Sequence, residues 1–358
     1  MRHLLVIAAG TGGHVIPGLA VAVEMKRRGW TVSWLGTSSG LENRLVPSAG
    51  IALDRVAFSG MRGKGLVGNA MGALRLIGAF FASARIVASR RADAVLGMGG
   101  YICFPGGWAA WLLRKPLLVV NADAELLLSN RLLTPVARRV AFGFAGDSAR
   151  NAGAKAVVTG NPVRAAIEAI AEPAARFAGR AGALRLLVVG GSLGARVLNE
   201  CVPKAIALMA AGDRPRVAHQ TGEAGRDDVR AAYAAAGADA EVLPFIDDMA
   251  RRLGECDVIV CRAGAITVSE LCAAGVAAVL VPFVASTTSH QRDNAAWMAA
   301  REAALHLPQG ELSPGRLADL LSGLTRDALL AMATKARALA RPHAAARVAD
   351  EIEAMVAA

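Results

Sequence analysis

Gly10-Thr11-Gly12-Gly13-His14 puts three glycines, a hydroxyl and an imidazole into five residues, between the apolar run Leu4-Leu5-Val6-Ile7 and an amphipathic stretch. Glycines this close together ahead of a helix let backbone N–H groups approach an anion, and the helix dipole adds about half a positive charge there. Gly190-Gly191-Ser192-Leu193-Gly194 repeats the arrangement after the run Leu186–Val189. Neither loop has the dinucleotide spacing: the sixth position from Gly10 is Val15, and no acidic residue stands where a second strand should end. One such loop is often only a tight strand-to-helix turn. Two of them, one in each half of the chain, point to two phosphate groups facing one another across a cleft.

A third glycine turn lies in CDVIVCRAGAITVSELCAAGVAAVLVPF, residues 256–283, where a strand leads through glycine into a helix carrying Thr267, Ser269 and Glu270 in its first turns. A glutamate early in a helix has a plain structural reading, because the dipole favours an anion there. Its functional reading is an exposed carboxylate at the carboxyl edge of a parallel sheet, able to accept two hydrogen bonds from a ribose diol. The following VPFVASTTSHQRDNA places His290, Gln291 and Asn294 on a loop entering the next helix, and together these residues favour a sugar-nucleotide site.

The elements that must position these groups follow from an alternation of short apolar runs with longer amphipathic stretches. The runs are Val32–Leu35, Ala94–Leu96, Leu117–Val120, Ala156–Val158, Leu186–Val189, Val258–Val260 and Val276–Val281. That rhythm predicts an α/β chain of parallel sheets joined by helical crossovers. The first helix is predicted to start near Val15 to Pro17, with the proline in its first turn, and to stop at Arg28 before Gly29. The strand, glycine loop and helix of residues 184–210 duplicate the opening unit, and Gly160-Asn161-Pro162-Val163-Arg164 reads as the hinge between the halves. The tail after Arg341-Pro342 reads as a last helix, Ala345 to Val356, which the residues alone could place on either half.

With 358 residues and 54% hydrophobic content the chain can bury two cores, since domains usually run to about 100–200 residues. Met1-Arg2-His3 leads straight into a core strand, so no secretory leader is read and a cytoplasmic location is expected. Cys103, Cys201, Cys256, Cys261 and Cys272 form an odd set without a Cys-x-x-Cys pair, which argues for buried thiols over disulfides or a zinc ribbon. A formal charge of +11 calls for an anionic partner. Only 4% aromatic residues and no basic, aromatic-studded strand argue against a nucleic-acid binder. Arg114 and Lys115 interrupt the best apolar run, Phe104 to Val120, so no span of the ~18 residues that crosses a bilayer is expected and membrane contact is read as peripheral.

Seven motifs make the reading specific: Gly10-Thr11-Gly12-Gly13-His14, Gly40-Leu41-Glu42, Gly97-Met98-Gly99-Gly100-Tyr101, Gly160-Asn161-Pro162-Val163-Arg164, Phe245-Ile246-Asp247-Asp248-Met249, Cys261-Arg262-Ala263-Gly264-Ala265 and His290-Gln291. In their order and spacing, nearly end to end, the chain resembles the MurG-type transferases of bacterial peptidoglycan synthesis. The resemblance implies a GT-B fold, two Rossmann-like parallel-sheet domains facing a central cleft. Residues 1–160 would be the acceptor and membrane-associating domain and 161–340 the UDP-N-acetylglucosamine domain, with 341–358 a helix packing back toward the first. The implied reaction is an inverting transfer of N-acetylglucosamine to the 4-hydroxyl of undecaprenyl-diphospho-muramoyl-pentapeptide. A UDP-N-acetylglucosamine 2-epimerase is the rival with the same plan and donor, and it needs no lipid acceptor.

The residues implied for the donor are Thr11, Gly12, Gly13, Arg164, Ser192, Ile246, Ala265, Ile266, Thr267, Glu270, His290 and Gln291. Arg164 and Ser192 would hold the leaving diphosphate, Phe245 and Ile246 would flank the uracil, Glu270 would take the ribose hydroxyls, and His290 with Gln291 would take the sugar. Thr11, His14, Tyr101 and Asp123 are implied for the acceptor. His14 is the catalytic candidate, as general base for the 4-hydroxyl or as a donor to the acceptor diphosphate; a packing role in the turn is the structural alternative. No tightly bound cofactor or fixed metal site is expected, with Mg²⁺ at most stimulatory. Two departures stand out: Val120-Asn121-Ala122-Asp123 replaces the family's His-Glu-Gln-Asn, and Leu193 replaces a glutamine in the second glycine loop.

The acceptor that the resemblance implies carries a polyprenyl tail, which would bring the enzyme to the cytoplasmic face of the inner membrane as a peripheral protein. Residues 66–89 read as an amphipathic helix in which Met71, Leu74, Gly78 and Phe81 follow one stripe and Ile77 and Phe80 widen it. Leu74, Ile77, Phe80, Phe81 and Trp111 are the expected membrane patch, with Arg75 and Arg85 within the stretch and Arg62, Lys64, Arg90, Arg91, Arg138 and Arg139 ringing it; the alternative is a core helix. Expected partners are UDP-N-acetylglucosamine, the lipid-linked acceptor, anionic inner-membrane lipids and other cell-wall synthesis and division proteins.

Overall fold

The computed structural model describes residues 1–10, 12–58, 65–191, 194–283 and 289–357. The chain divides into two compact units, Met1–Val163 with Pro342–Ala358, and Arg164–Arg341. The change of unit falls between Val163 and Arg164 rather than after residue 160, so Gly160-Asn161-Pro162 stays with the first unit and Arg164 opens the second.

In the first unit, β1 (His3–Ala8), β2 (Thr31–Thr37), β3 (Ala52–Val56), β4 (Ala94–Gly99), β5 (Leu117–Asn121), β6 (Arg139–Phe142) and β7 (Ala156–Val158) form one parallel sheet. Its order is β3-β2-β1-β4-β5-β6-β7. The second unit has β8 (Arg185–Val189), β9 (Arg216–Gln220), β10 (Ala240–Leu243), β11 (Val258–Cys261), β12 (Ala277–Leu280) and β13 (Leu305–His306), also parallel, in the order β10-β9-β8-β11-β12-β13. Strand order reverses beside β1 and beside β8, and in such sheets a ligand crevice opens there, outside the carboxyl ends. Both glycine loops leave their sheets at these points.

Burial on both faces explains why the strands read as continuous apolar runs rather than alternating ones. Leu4, Val6 and Ala8 enter one core with Trp34, Leu96 and Val120, while Leu5 and Ile7 enter the other with Leu35, Val95 and Phe142. α1 (Gly12–Arg27) covers the first face with Val15, Val21, Ala22 and Met25. It begins at Gly12, before the expected Val15 to Pro17, because both glycines take up the helical conformation. Pro17 is therefore the sixth helical residue rather than a first-turn one, and its missing N–H leaves the Gly13 carbonyl without its usual helical donor.

The same face carries the C-terminal helix Ala344–Ala357, which buries Val348, Ala349, Ile352 and Met355 beside α1. Arg28 fastens it through Asp350 at 2.6 Å and Glu353 at 2.8 Å. All five cysteines are buried free thiols, and desolvation pushes Cys103, Cys256 and Cys272 up to about 12.

After α2 (Glu42–Ser48), α3 (Gly65–Ser89) and α4 (Cys103–Leu112) cover the second face. Here one expectation is corrected: Met71–Ser89 spans 19 residues at mean hydropathy 1.5, long and apolar enough by length and composition to cross a bilayer. The apolar run is longer than the sequence reading allowed because only Arg75 and Arg85 interrupt it, and a helix tolerates both on its outer side. Ala79, Ser83 and Val87, small side chains four residues apart, form the buried stripe. The large ones point outward, Leu74 at 69%, Ile77 at 53% and Phe81 at 66% exposure, so this helix is not a core helix. Phe80 is half-buried, edge-on to Phe81.

Candidate active site

In the first unit, Gly10 (φ +97°) ends the strand-to-helix turn and His14 stands in the first turn of α1. The half-buried imidazole lies against Gly99 at the end of β4, where a Cβ would collide with the ring, so Gly99 (φ +121°) is required by both backbone and space. The buried Cys103 thiol holds that corner, accepting from the Gly99 N–H at 3.2 Å and donating toward the Ile7 carbonyl at 3.1 Å. Tyr101, 55% exposed, follows β4, and the half-exposed Asp123 follows β5. The implied acceptor residues His14, Tyr101 and Asp123 thus leave the carboxyl ends of three neighbouring strands, β1, β4 and β5. Thr11 lies outside the described residues.

The departure at Val120–Asp123 has a visible consequence. Fully buried Asn121 donates to the Asp123 and Glu125 carbonyls at 2.8 and 3.0 Å and accepts from the Leu127 N–H at 3.1 Å, organising the loop that carries Asp123. Asn161 donates to the Ala122 carbonyl at 2.8 Å, so the Gly160–Arg164 motif braces this loop as well as linking the halves.

In the second unit a cavity of about 170 Å³ lies at the carboxyl edge, lined by Arg164, Gln220, Phe245, Ile246, Thr267 and Glu270 among others. A larger one, about 290 Å³, opens at the amino ends of β8 to β10, but its charges are largely consumed in pairs, Arg252 with Glu241 and Arg216 with Asp239. The smaller cavity is the candidate site, because the glycine loop and the strand-order reversal converge on it. Gln220, buried at the end of β9, donates to the Gly191 carbonyl at 2.9 Å and so holds Gly191 against the end of β9. Gly194 (φ +75°) passes so close to the Thr221 carbonyl that no Cβ fits. Ser192 and Leu193 lie outside the described residues.

Glu270 sits in the second turn of the helix Ala265–Ala274, which removes the helix-dipole explanation for it. The expected exposed carboxylate is corrected too: its side chain is 15% exposed. Both Nε and Nη2 of Arg164 reach its Oε1 at 2.9 Å, which leaves Oε2 for a ligand. Burial raises its pKa, partly offset by Arg164. Gly264 caps this helix without a side-chain bond, and the first helical hydrogen bond is Val268 N–H to the Gly264 carbonyl. The N–H groups of Ala265, Ile266 and Thr267 therefore precede the helical ladder and can meet an anion. At the other end Arg176 and Arg337 donate to the Ala274 and Ala273 carbonyls, anchoring the helix that carries Glu270.

Phe245 is 52% exposed and Ile246 is buried, both on the cavity wall. His290 and Gln291 begin the helix His290–Ala299 rather than lying on the expected loop. Gln291 Oε1 accepts from the Phe283 and Ala263 N–H groups at 2.9 and 3.3 Å, and Asn294 donates to the Ala263 carbonyl at 3.1 Å. Gln291 is thus half committed to the backbone, with its amide N–H₂ left to offer. The sequence reading passed over Gln220 and gave Asn121 and Arg262 no role within their motifs; Arg262 bonds Gln309 Oε1 at 2.8 Å and stacks on Phe283. A polar residue closing an apolar strand run was the available signal for Gln220 and Asn121. Among the described residues no group of three or more His, Cys, Asp or Glu could hold a metal ion.

Two parallel-sheet units, each with a glycine loop at its point of order reversal and one with a largely buried carboxylate beside a helix N-terminus without a side-chain cap, define the GT-B plan of nucleotide-sugar transferases. Residues 4–142 match the glycosyltransferase family 28 N-terminal domain and residues 185–352 match the family 28 C-terminal domain. The chain belongs to glycosyltransferase family 28. It is 67% identical over 360 residues, 99% of this chain and 98% of the relative, to the UDP-N-acetylglucosamine--N-acetylmuramyl-(pentapeptide) pyrophosphoryl-undecaprenol N-acetylglucosamine transferase of Methylibium petroleiphilum. Identity to the Chromobacterium violaceum protein of the same name is 63% over 98% of this chain and 97% of that one. The crystal structure of Acinetobacter baumannii MurG superposes with a TM-score of 0.87 at 37% identity, covering 99% of this chain and all of that one.

Proposed function

We propose that this protein transfers N-acetylglucosamine from UDP-N-acetylglucosamine to the 4-hydroxyl of undecaprenyl-diphospho-muramoyl-pentapeptide, with inversion at the sugar carbon. The observation that carries the reading is the pocket in which Glu270 and Arg164 stand beside the uncapped N-terminus of Ala265–Ala274, in a chain 67% identical to a transferase of that name. Glu270 Oε2 accepts from the ribose diol, and Arg164 with the Ala265–Thr267 N–H groups receives the diphosphate as negative charge grows on it. Ile246 presents its backbone to the uracil, with Phe245 against the ring. His290 and the Gln291 amide meet the sugar. His14 stands in the acceptor unit, where it takes the hydroxyl proton or binds the acceptor diphosphate.

The test is incubation with UDP-N-acetylglucosamine and a short-chain muramoyl-pentapeptide lipid, with and without Mg²⁺, followed by mass analysis. The expected product is the disaccharide lipid, with UDP released only when acceptor is present. Acceptor-independent UDP release and N-acetylmannosamine would instead establish the epimerase.

The acceptor's tail requires a membrane surface, and the outward side of α3 suits it. Leu74, Ile77, Phe81 and Trp111 are each at least half exposed. Arg75, Arg85, Arg91 and Arg138 are exposed and each can contribute about 1 kcal/mol near an anionic leaflet. Arg90 drops out of the expected ring because Asp54 holds it bidentately at 2.8 and 2.9 Å. Arg62 and Lys64 lie outside the described residues. Ile77→Ser with Phe81→Ser is expected to abolish co-sedimentation with anionic vesicles while UDP binding persists. Undiminished sedimentation would place the docking surface elsewhere.

A further inference from the structure

Glu42 is completely buried, an unusual place for a carboxylate, since burial costs an ionised group several kcal/mol unless hydrogen bonds replace its water. Those bonds are present. Oε2 accepts from the Gly10 N–H at 2.9 Å, and Oε1 accepts from the Thr37 N–H at 3.1 Å and the Thr37 hydroxyl at 2.7 Å. Space for the carboxylate comes from two glycines: a Cβ at Gly36 would lie 2.8 Å from Glu42 Cγ, and one at Gly40 (φ +127°) would collide with Oε2. The turn also returns a bond, from the Leu41 N–H to the Gly10 carbonyl at 3.1 Å. Both polar groups of Gly10 are therefore tied to the Gly40-Leu41-Glu42 turn, which fixes the peptide planes from which the chain enters Gly12, Gly13 and His14.

The position of this carboxylate is informative. It lies at the carboxyl end of β2, where a dinucleotide-binding unit presents an acid to a ribose, yet it faces the backbone of the glycine loop. A fold needing only a filled volume would use an apolar residue there at lower cost.

We infer that Glu42 is a positioning residue for the transfer reaction, acting through Gly10 to hold the glycine loop so that His14 is laid over Gly99. The inference rests on the acceptor role proposed above for His14. Glutamine at this position keeps an oxygen for Thr37 but turns an N–H₂ toward the Gly10 N–H, setting donor against donor, and the loop must shift. A catalytic group displaced by about 1 Å can lose on the order of a hundredfold in rate.

The experiment compares wild type with Glu42→Gln for kcat with UDP-N-acetylglucosamine and the short-chain acceptor, for the Kd of UDP by calorimetry, and for the ¹⁵N signals of the His14 imidazole, assigned with His14→Gln. The expected result is a kcat lowered by about tenfold or more, a UDP Kd within about twofold and a shifted His14 signal. Wild-type kcat with an unmoved His14 signal overturns the inference, and so does a parallel loss of UDP affinity, which marks general damage. If Glu42→Gln does not fold, Gly40→Ala, which crowds the Oε2 that accepts from Gly10, must give the same pattern or the inference falls. A wild-type protein that transfers no sugar refutes the proposed function instead, and the His14 signal still decides whether Glu42 positions the loop.

Discussion

His14→Ala lowers kcat/KM for the acceptor by roughly 10²-fold or more while leaving UDP affinity unchanged. The expectation rests on placement: the ring is in the first turn of α1, half-buried against Gly99, in the unit that does not contain the Arg164–Glu270 pocket. How the loss divides assigns the role. A fall in kcat with a steady acceptor KM identifies the general base, whereas a raised KM with a steady kcat identifies a diphosphate ligand. Wild-type constants would return the imidazole to a packing role in the turn.

Glu270→Ala is the second large effect, weakening UDP-N-acetylglucosamine binding by about 1–3 kcal/mol as the ribose loses its acceptor. Calorimetry decides it, and unchanged donor affinity removes Glu270 from the site. Stability should move the other way. Burial raises the carboxyl's folded pKa above the ordinary glutamate value, so protonation is favoured more in the folded chain than in the unfolded one. Such a group stabilises the fold below the unfolded value and loses that contribution as pH rises through the folded value. At pH 7.5 the charge is a net cost, and Glu270→Gln is expected to match or exceed the wild-type Tm, with the difference shrinking as pH falls below about 4.5. Arg164, its side chain 48% exposed, can be left unpaired without a buried orphan charge. A Tm that drops at pH 7.5 and recovers in acid would show that the ion pair, not desolvation, sets the balance.

The sequence displayed the fold class because parallel strands buried on both faces must be apolar along their buried length, as β1, β4, β5, β8 and β11 are apart from His3, Asn121 and Arg185 at their ends. Of the flanking strands only β7 announced itself, as the run Ala156–Val158. β3 exposes Ala52 and Arg55 and β10 exposes Glu241, so partial burial erased their signal, while β13 is only two residues long. At the sites, residue types that chemistry demands were legible: His14, Arg164 and Glu270. Residues that work through the backbone were harder to read, because an amide or carboxylate turned inward toward N–H and C=O groups leaves at most a polar residue at the end of an apolar run, and nothing in one dimension names its partners. Gln220, Asn121 and Gln291 Oε1 are of this kind. So is Glu42, visible only as part of a motif until its partners Gly10 and Thr37 were placed.

The buried thiols carry a practical consequence. A thiol with raised pKa and no solvent contact reacts with alkylating reagents only when its surroundings open, so its labelling rate reports local or global unfolding. Cys103 alone belongs to the first unit, while Cys201, Cys256, Cys261 and Cys272 all belong to the second. The native chain therefore carries its own pair of clocks. Peptide-resolved alkylation during a denaturant or ligand titration reads the opening of each half separately, without an introduced label, and UDP should slow the four-cysteine clock while leaving the Cys103 clock running at its own pace.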